Sequence, residues 1–203
     1  MNYKTKNIVA LLKLKKLLDK HKINYSLSKK MLDFIKGNNS VFEEPDYRIV
    51  MNYKDYFRLK RIEEKSFFDN TDSLNNYLLP YFKDDESIIF IDLVIPTNSK
   101  VIEKNFSLFL ISNFVFIKQY PHLFSKITKV KVKLCKIFNT FITKKFLSLN
   151  TLVNKFVVNE FSEYILLNNE LEKPFTSIYQ NISFLTKTIM FKNVEFKYFF
   201  EFE

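Results

Sequence analysis

The 203-residue chain is poor in the residues that catalytic and metal sites depend on. It has one cysteine, Cys135, one glycine, Gly37, two histidines and no tryptophan. A single cysteine excludes an internal disulfide framework and a multi-cysteine zinc site. A single glycine excludes a glycine-rich phosphate loop. Because His21 and His122 are far apart in sequence, neither a nucleophilic triad nor a metal cluster is indicated, and we expect a non-catalytic protein without a cofactor.

Long apolar runs are also missing. The longest, residues 106–117, is interrupted by serine and asparagine and is too short to cross a bilayer, so we expect no membrane span. No secretory signal is visible, although residues 1–20 are basic and poor in acid, as a transit peptide is. The abundant phenylalanine, lysine, asparagine and isoleucine have AT-rich codons. We therefore expect an organelle-encoded protein that is made and works in the mitochondrion.

Positive charge is plentiful and unevenly distributed. The formal net charge is +10, and hydrophobic residues make up 47% of the chain, enough for a core. Residues 1–36 hold ten lysines and two aspartates, and residues 115–146 hold eight lysines and no acidic residue. The remaining two regions carry more acidic than basic residues. Two concentrated blocks predict two contact surfaces for nucleic acid or anionic lipid.

The second block, residues 126–146, reads KITKVKVKLCKIFNTFITKKF. Lysines alternate with apolar residues from Lys129 to Leu134, which places the lysines on one face of a strand. Phenylalanines at helical spacing follow, and the predicted helix ends in two lysines. Such a unit can pack on one side and meet a polyanion on the other. An ordinary half-solvated strand accounts for the alternation equally well.

The first block predicts a helix over residues 5–22, with a broad leucine-rich stripe surrounded by lysines. Three interpretations stay open: a helix packed on its own domain, an anchor on the RNA side, or a helix lying on a membrane surface. A second helix over residues 28–35 is predicted to end at Gly37 in a left-handed cap.

Further along, the pattern predicts a helix or strand at 47–57, a helix at 58–64 and a buried strand at 87–96 stopped by Pro96. A helix capped by residues 97–99 follows, then a helix over 151–169. Closing strands are predicted near 177–185, 188–191 and 194–202. The predicted fold is α+β, an antiparallel sheet covered by helices on one face, with a basic helical N-terminal extension.

Three segments in order resemble the large-subunit ribosomal protein L-five family, which associates with 5S rRNA. Residues 88–105, IIFIDLVIPTNSKVIEKN, are similar to the family's strand, loop and Ser-Lys-Val-Leu-Glu-Asn-like helix. Residues 130–146 resemble its Val-Lys-Val-x-Leu-Arg strand and the helix after it. Residues 181–191, NISFLTKTIMF, resemble its late Asn-Tyr-x-Leu-Gly-Leu run. The likeness covers about residues 87–203 and implies an RNA-binding core at 81–203, preceded by a lineage-specific, mostly helical extension at 1–80.

The resemblance implies a structural constituent of a mitochondrial large ribosomal subunit, active in translation at the central protuberance. The implied partners are large-subunit rRNA, 5S rRNA where one is present, and neighbouring ribosomal proteins including the small-subunit head. In the family, a longer loop rich in glycine, lysine and arginine reaches the P-site tRNA. Residues 118–129 here are shorter and lack glycine and arginine, which leaves a tRNA contact in doubt.

Phosphate neutralisation by lysine is the expected mode of RNA binding. The rival function is a peripheral membrane or assembly subunit that uses the basic amphipathic N-terminal helix. We expect RNA contacts from the lysines of the resembling segments, namely Lys100, Lys104, Lys118, Lys126, Lys129, Lys131, Lys133, Lys136, Lys144 and Lys145.

Overall fold

A computed structural model describes residues 3–37, 47–72, 80–85, 87–105, 148–167, 177–179 and 186–199. The helices are α1 (Tyr3–Lys20), α2 (Lys29–Lys36), α3 (Tyr53–Ile62), α4, whose described part is residues 99–105, and α5 (Leu149–Phe156). The strands are β1 (Tyr25–Leu27), β2 (Arg48–Asn52), β3 (Phe67–Phe68), β4 (Tyr81–Asp84), β5 (Ser87–Thr97), β6 (Glu163–Leu167), β7 (Ser177–Tyr179), β8 (Thr186–Phe191) and β9 (Val194–Phe199).

Among the described residues, strand β5 is the centre of a sheet of seven strands. Along one edge, its residues 90–94 pair with the parallel strand β2. Along the opposite edge, its two ends pair with the antiparallel strands β4 and β6. β1 lies outside β2, β3 outside β4 and β7 outside β6, all antiparallel, while β8 and β9 form a hairpin of their own. The predicted α+β class with a mostly antiparallel sheet is confirmed.

The sequence of β5 explains its central place. Ile89, Ile91, Leu93 and Ile95 are fully buried on one face, and the middle of the other face is buried too. A continuous β-branched and leucine run suits a strand that is covered on both sides. The predicted stop at Pro96 comes one residue early, because β5 continues to Thr97. Since the pairing with β2 ends at residue 94, the missing proline N–H removes no bond between these two strands.

One ion pair is buried beside the middle of β5. The guanidinium Nη1 of Arg48 lies 2.8 Å from Oδ1 of Asp92, and the two side chains are only 7% and 5% exposed. The guanidinium carbon also lies 5.5 Å from the centre of the Phe90 ring. An aspartate inside an otherwise apolar strand was visible in the sequence, but the partner comes from a strand 44 positions earlier in the chain.

The described parts of residues 1–80 and 81–203 share one sheet and one core. β2 pairs directly with β5, and the apolar stripe of α1, formed by Ala10, Leu11, Leu14 and Leu18, is 0–1% exposed. Described residues on the two sides of residue 80 are therefore joined by strand pairing and by packing. Of the three interpretations of the first helix, packing on its own domain is the one observed.

Strand pairing decides the outcome of two predictions that were made from local sequence patterns. Residues 47–57 contain both alternatives, since β2 ends at Asn52, whose side chain caps α3 by accepting from the Lys54 N–H at 2.9 Å. The helix predicted over 151–169 is wrong in its second half. α5 ends at Phe156, and β6 instead pairs Ile165 with Ile95 of β5. An apolar segment next to an open strand edge gains more stability from pairing with the sheet than from continuing the helix.

We expect the Asp92→Leu variant to lose about 3–5 kcal/mol of unfolding free energy, because Arg48 would remain buried without its charge partner. Urea denaturation followed by circular dichroism measures this loss. The double variant Arg48→Met, Asp92→Leu removes both charges and should regain most of it. A single variant as stable as the wild type would show that the pair is not buried in solution.

Candidate nucleic-acid interface

Of the ten lysines predicted to contact RNA, two lie in the described structure. Lys100 and Lys104 are exposed, and they lie four residues apart on α4, so they share one helical face. The basic strand and helix at 126–146 and Cys135 lie outside the described residues, as do the other eight candidates, Lys118, Lys126, Lys129, Lys131, Lys133, Lys136, Lys144 and Lys145.

Side-chain hydrogen bonds hold α4 in place. The Asn98 Oδ1 accepts from the Val101 N–H at 3.0 Å, which confirms a cap within the predicted residues 97–99. Ser99 Oγ donates to Glu163 Oε1 at 2.6 Å, and Asn105 Nδ2 donates to the Lys155 carbonyl at 3.0 Å. The exposed face of α4 therefore has a fixed position next to the start of β6 and the end of α5.

Three of the six lysines of α1 form ion pairs within the chain. Lys13 Nζ lies 2.8 Å from Asp84 Oδ2, and Lys15 pairs with Asp19 one helical turn away. Lys20 Nζ lies 3.3 Å from Glu63 Oε1. A cation held by a carboxylate of its own chain has less charge to offer a phosphate. These three lysines are therefore weaker candidates for contact with a polyanion.

Glu63 joins the ends of α1 and α3. His21 Nε2 lies 2.9 Å from its Oε1, and Arg58 Nη2 donates to the His21 carbonyl at 2.9 Å. Hydrogen bonds from His21 and then Lys20 lower the pKa of Glu63 below its ordinary value of 4.5. The ionised carboxylate is thus favoured in the folded state, and the contact between the two helices depends on that charge.

A depressed folded-state pKa stabilises the fold above the unfolded pKa, and this contribution is lost as the pH falls through the folded value. We expect the Glu63→Gln variant to show a shallower fall of unfolding free energy below about pH 4.5 than the wild type. Urea melts across that pH range measure it. Glu64→Gln, an exposed neighbour without a hydrogen bond to the described residues, is the matched control. Parallel curves for wild type and Glu63→Gln would contradict the assignment.

A second cationic surface is formed by α2 and the β8–β9 hairpin, and sequence reasoning missed it. Phe34 of α2 meets Phe191 of β8 with ring centres 6.4 Å apart and planes at 74°. Lys36 Nζ lies 5.4 Å from the ring centre of Tyr198 on β9. We call residues 29–36 and 187–199 together the α2–hairpin surface.

This surface carries a clear excess of positive charge. Only two acidic residues, Asp33 and Glu195, accompany its lysines. The side chains of three of the lysines, Lys29, Lys192 and Lys197, have no hydrogen bond or ion pair with any residue that the structure describes. The full set of cations is Lys29, Lys30, Lys36, Lys187, Lys192 and Lys197.

The hairpin turn presents one of these lysines at its tip. Lys192 and Asn193 connect β8 to β9 with φ values of 50° and 61°, the backbone of a two-residue turn with both residues left-handed. Glycine and asparagine suit such positions best, so an exposed lysine there is held against its own backbone preference. The turn places the Lys192 ammonium in solvent directly after Phe191.

Strand β1 positions both halves of the α2–hairpin surface. α2 begins directly after β1, where the Ser28 hydroxyl accepts from the Met31 N–H at 3.3 Å, and it ends as predicted at left-handed Gly37. β9 lies beside β1, and the Phe199 N–H donates to Ser26 Oγ at 2.9 Å. No sequence signal links two segments about 150 residues apart, although each segment alone is visibly rich in lysine and phenylalanine.

A second group of polar side chains, near α3, is already paired within the chain. A cleft of about 580 Å³ is lined partly by Phe57, Lys60 and Asp69. Lys60 Nζ lies 2.9 Å from Asp69 Oδ2 and 2.7 Å from Asp72 Oδ2, and the Tyr56 hydroxyl donates to Asp69 at 2.9 Å. Burial and then Asp69 raise the pKa of Tyr56 well above its usual value. These groups brace α3 against the 69–72 turn and leave no poised acid, base or nucleophile.

Comparisons of the chain with protein-family models, with curated proteins and with solved structures found no match. Within the part of the chain that is described, no helix is both long and apolar enough to cross a membrane. The same residues include no group of three histidine, cysteine, aspartate or glutamate side chains placed to hold a metal ion. Function is therefore inferred from the surface of the molecule and from the sequence.

Proposed function

We propose that this protein is a non-catalytic structural constituent of a mitochondrial large ribosomal subunit and binds rRNA at the central protuberance. The observation that carries RNA binding is the α2–hairpin surface, which bears the exposed Phe34 and three lysines, Lys29, Lys192 and Lys197, whose side chains have no partner among the described residues. The ribosomal assignment and its partners, including 5S rRNA and the small-subunit head, rest on the sequence resemblance over residues 87–203.

The physical basis is phosphate neutralisation. Each lysine placed against a phosphate releases condensed counterions, so affinity for RNA rises with the number of available cations and falls with salt. The α2–hairpin surface and the exposed face of α4, with Lys100 and Lys104, supply such cations. The block of eight lysines at 115–146 adds further charge to the chain.

The rival function, a peripheral membrane or assembly subunit, requires the apolar face of α1 to be available. That face is already in the core, since Leu11, Leu14 and Leu18 are at most 1% exposed. Inserting it into lipid would mean separating α1 from β4 and β5, which it covers. Burial of this face therefore favours the RNA-binding function.

We expect the Lys29→Gln, Lys192→Gln double variant to bind rRNA fragments more weakly and with a lower salt dependence. The slope of log affinity against log salt should fall by roughly 0.7 for each phosphate that the variant no longer neutralises. Filter binding over a salt series measures both quantities, and anionic vesicles replace the RNA in a parallel series. Retention on vesicles but not on rRNA would reject the proposal.

Lys65→Gln, Lys83→Gln is the matched control for this variant. It removes the same charge next to β3 and β4, at the other end of the sheet from β1. Both of these lysines are exposed and have no side-chain partner among the residues described. Equal reductions in affinity from the two double variants would mean that net charge, and not this surface, governs binding.

The ribosomal assignment has its own test. Lys129, Lys131 and Lys133 changed together to glutamine should reduce the share of protein that sediments with large subunits, because the predicted strand would lose its row of cations. Sucrose-gradient sedimentation of tagged wild-type and triple-variant protein measures that share. Unchanged sedimentation would show that these lysines are only solvated.

A further inference from the structure

We propose that the junction of β5, β6 and α4 binds an alkali-metal cation, sodium or potassium, between the side chains of Thr97 and Glu163. Thr97 ends β5 and Glu163 begins β6, and the two residues lie directly opposite each other in the antiparallel pairing of these strands. Side chains of residues paired in this way project from the same face of a sheet, with Cβ atoms about 4.5–5.5 Å apart. This site is separate from the α2–hairpin surface and does not depend on the proposed function.

Two oxygen atoms at this junction are buried without a hydrogen-bond partner. Thr97 is completely buried, and its Oγ1 has no partner among the described residues. The same holds for Oε2 of Glu163. Both residues lie on the face of the sheet that carries the fully buried pair Ile95 and Ile165. Because buried polar atoms are nearly always paired, two unpaired oxygens on opposite residues of one strand pair indicate a bound water or ion.

Hydrogen bonds hold the carboxylate and the strand end in place. Ser99 Oγ donates to Glu163 Oε1 at 2.6 Å, and the Ser162 N–H donates to the Thr97 carbonyl at 3.2 Å. One carboxylate oxygen of Glu163 is therefore bonded to the start of α4, and the other, Oε2, is left for a ligand. The Glu163 side chain as a whole is only partly buried, which gives a small ion a route from solvent.

The charge of the carboxylate favours a cation over water. Among the described residues, no lysine, arginine or histidine forms an ion pair with Glu163, and the nearby Lys100 and Lys104 of α4 are exposed. A water molecule can donate hydrogen bonds to both oxygens, but it leaves the negative charge without a counter-charge. A cation bound between Thr97 Oγ1 and Glu163 Oε2 contacts both oxygens and compensates the charge.

The donor atoms select a hard cation of low charge. Carboxylate and hydroxyl oxygens suit hard cations better than copper, nickel or zinc. Calcium takes many oxygen ligands, commonly from several carboxylates, and the described residues hold no group of three acidic, histidine or cysteine side chains placed for a metal. Magnesium gives up its water ligands reluctantly, which does not suit the enclosed Oε2. Sodium and potassium fit the site best.

The test is thermal unfolding, followed by circular dichroism, in sodium, potassium and tetramethylammonium chloride at equal ionic strength. Tetramethylammonium is too large for the site. Once sodium or potassium is at about ten times its Kd, we expect a Tm about 3–6 °C higher than in tetramethylammonium chloride. Glu163→Gln should abolish this difference and Thr97→Val should reduce it. Glu160→Gln removes an exposed carboxylate three residues earlier and should keep the difference.

Equal Tm values of the wild type in all three salts would mean that water alone occupies the junction, and would overturn the cation site. A Tm difference that persists in Glu163→Gln would assign the cation to another place and overturn it as well. The wild-type comparison needs no variant, so it decides the matter even where a substitution prevents folding. In crystals, thallium(I) as an anomalously scattering substitute for potassium should bind between Thr97 and Glu163. Because RNA plays no part in these measurements, their failure leaves the proposed function standing.

Discussion

The structure depends on strand β5, which pairs with other strands along both edges and is buried on both faces in its middle. β5 pairs with three other described strands, and its side chains Ile89, Ile91, Leu93 and Ile95 are fully buried in the core. Parallel pairing with β2 requires a crossover connection, and the chain between the two strands includes α3, β3 and β4. Because the N-terminal half supplies β2 and the C-terminal half supplies β6, neither half completes the sheet alone.

The same arrangement decides which charges remain available to a partner. Where lysines lie near the acidic ends of the sheet strands and of α3, they pair with carboxylates, as Lys13 does with Asp84 and Lys20 with Glu63. At the α2–hairpin surface, by contrast, the side chains of Lys29, Lys192 and Lys197 have no partner among the described residues. Judged by charge in the sequence alone, α1 and α2 are equally good candidates for contact with a polyanion. Only the folded structure shows which of their lysines are paired with carboxylates.

Much of the fold was predictable from the sequence. The α+β class, α1, α2 with its Gly37 cap, β5 and the start of α4 follow from periodicity and capping residues, which act locally. β6 was not predictable, since its apolar run satisfies a helical pattern equally well and the deciding partner, β5, is about 70 residues earlier. The pairing of β2 with β5 across residue 80 was not predictable for the same reason, because it is a long-range contact.

The candidate site was less predictable than the fold. Of the ten lysines chosen from the sequence, Lys100 and Lys104 are in the described structure and exposed there, while the α2–hairpin surface arises from two segments that sequence reasoning never joined. An ion pair such as Arg48 with Asp92 has the same origin, because its two residues become neighbours only through strand register. Local patterns reveal which residues are basic or buried, and topology decides which of them meet.

Both halves of the α2–hairpin surface depend on β1, the outermost strand at its end of the sheet. α2 leaves β1 through the Ser28 cap, and β9 is held beside β1 through Ser26. If β1 separated from the sheet, Phe34 and Phe191 would lose their common support and the lysines would disperse. A partner that binds this surface therefore binds the folded state alone, and by mass action it stabilises the sheet whose edge creates the site.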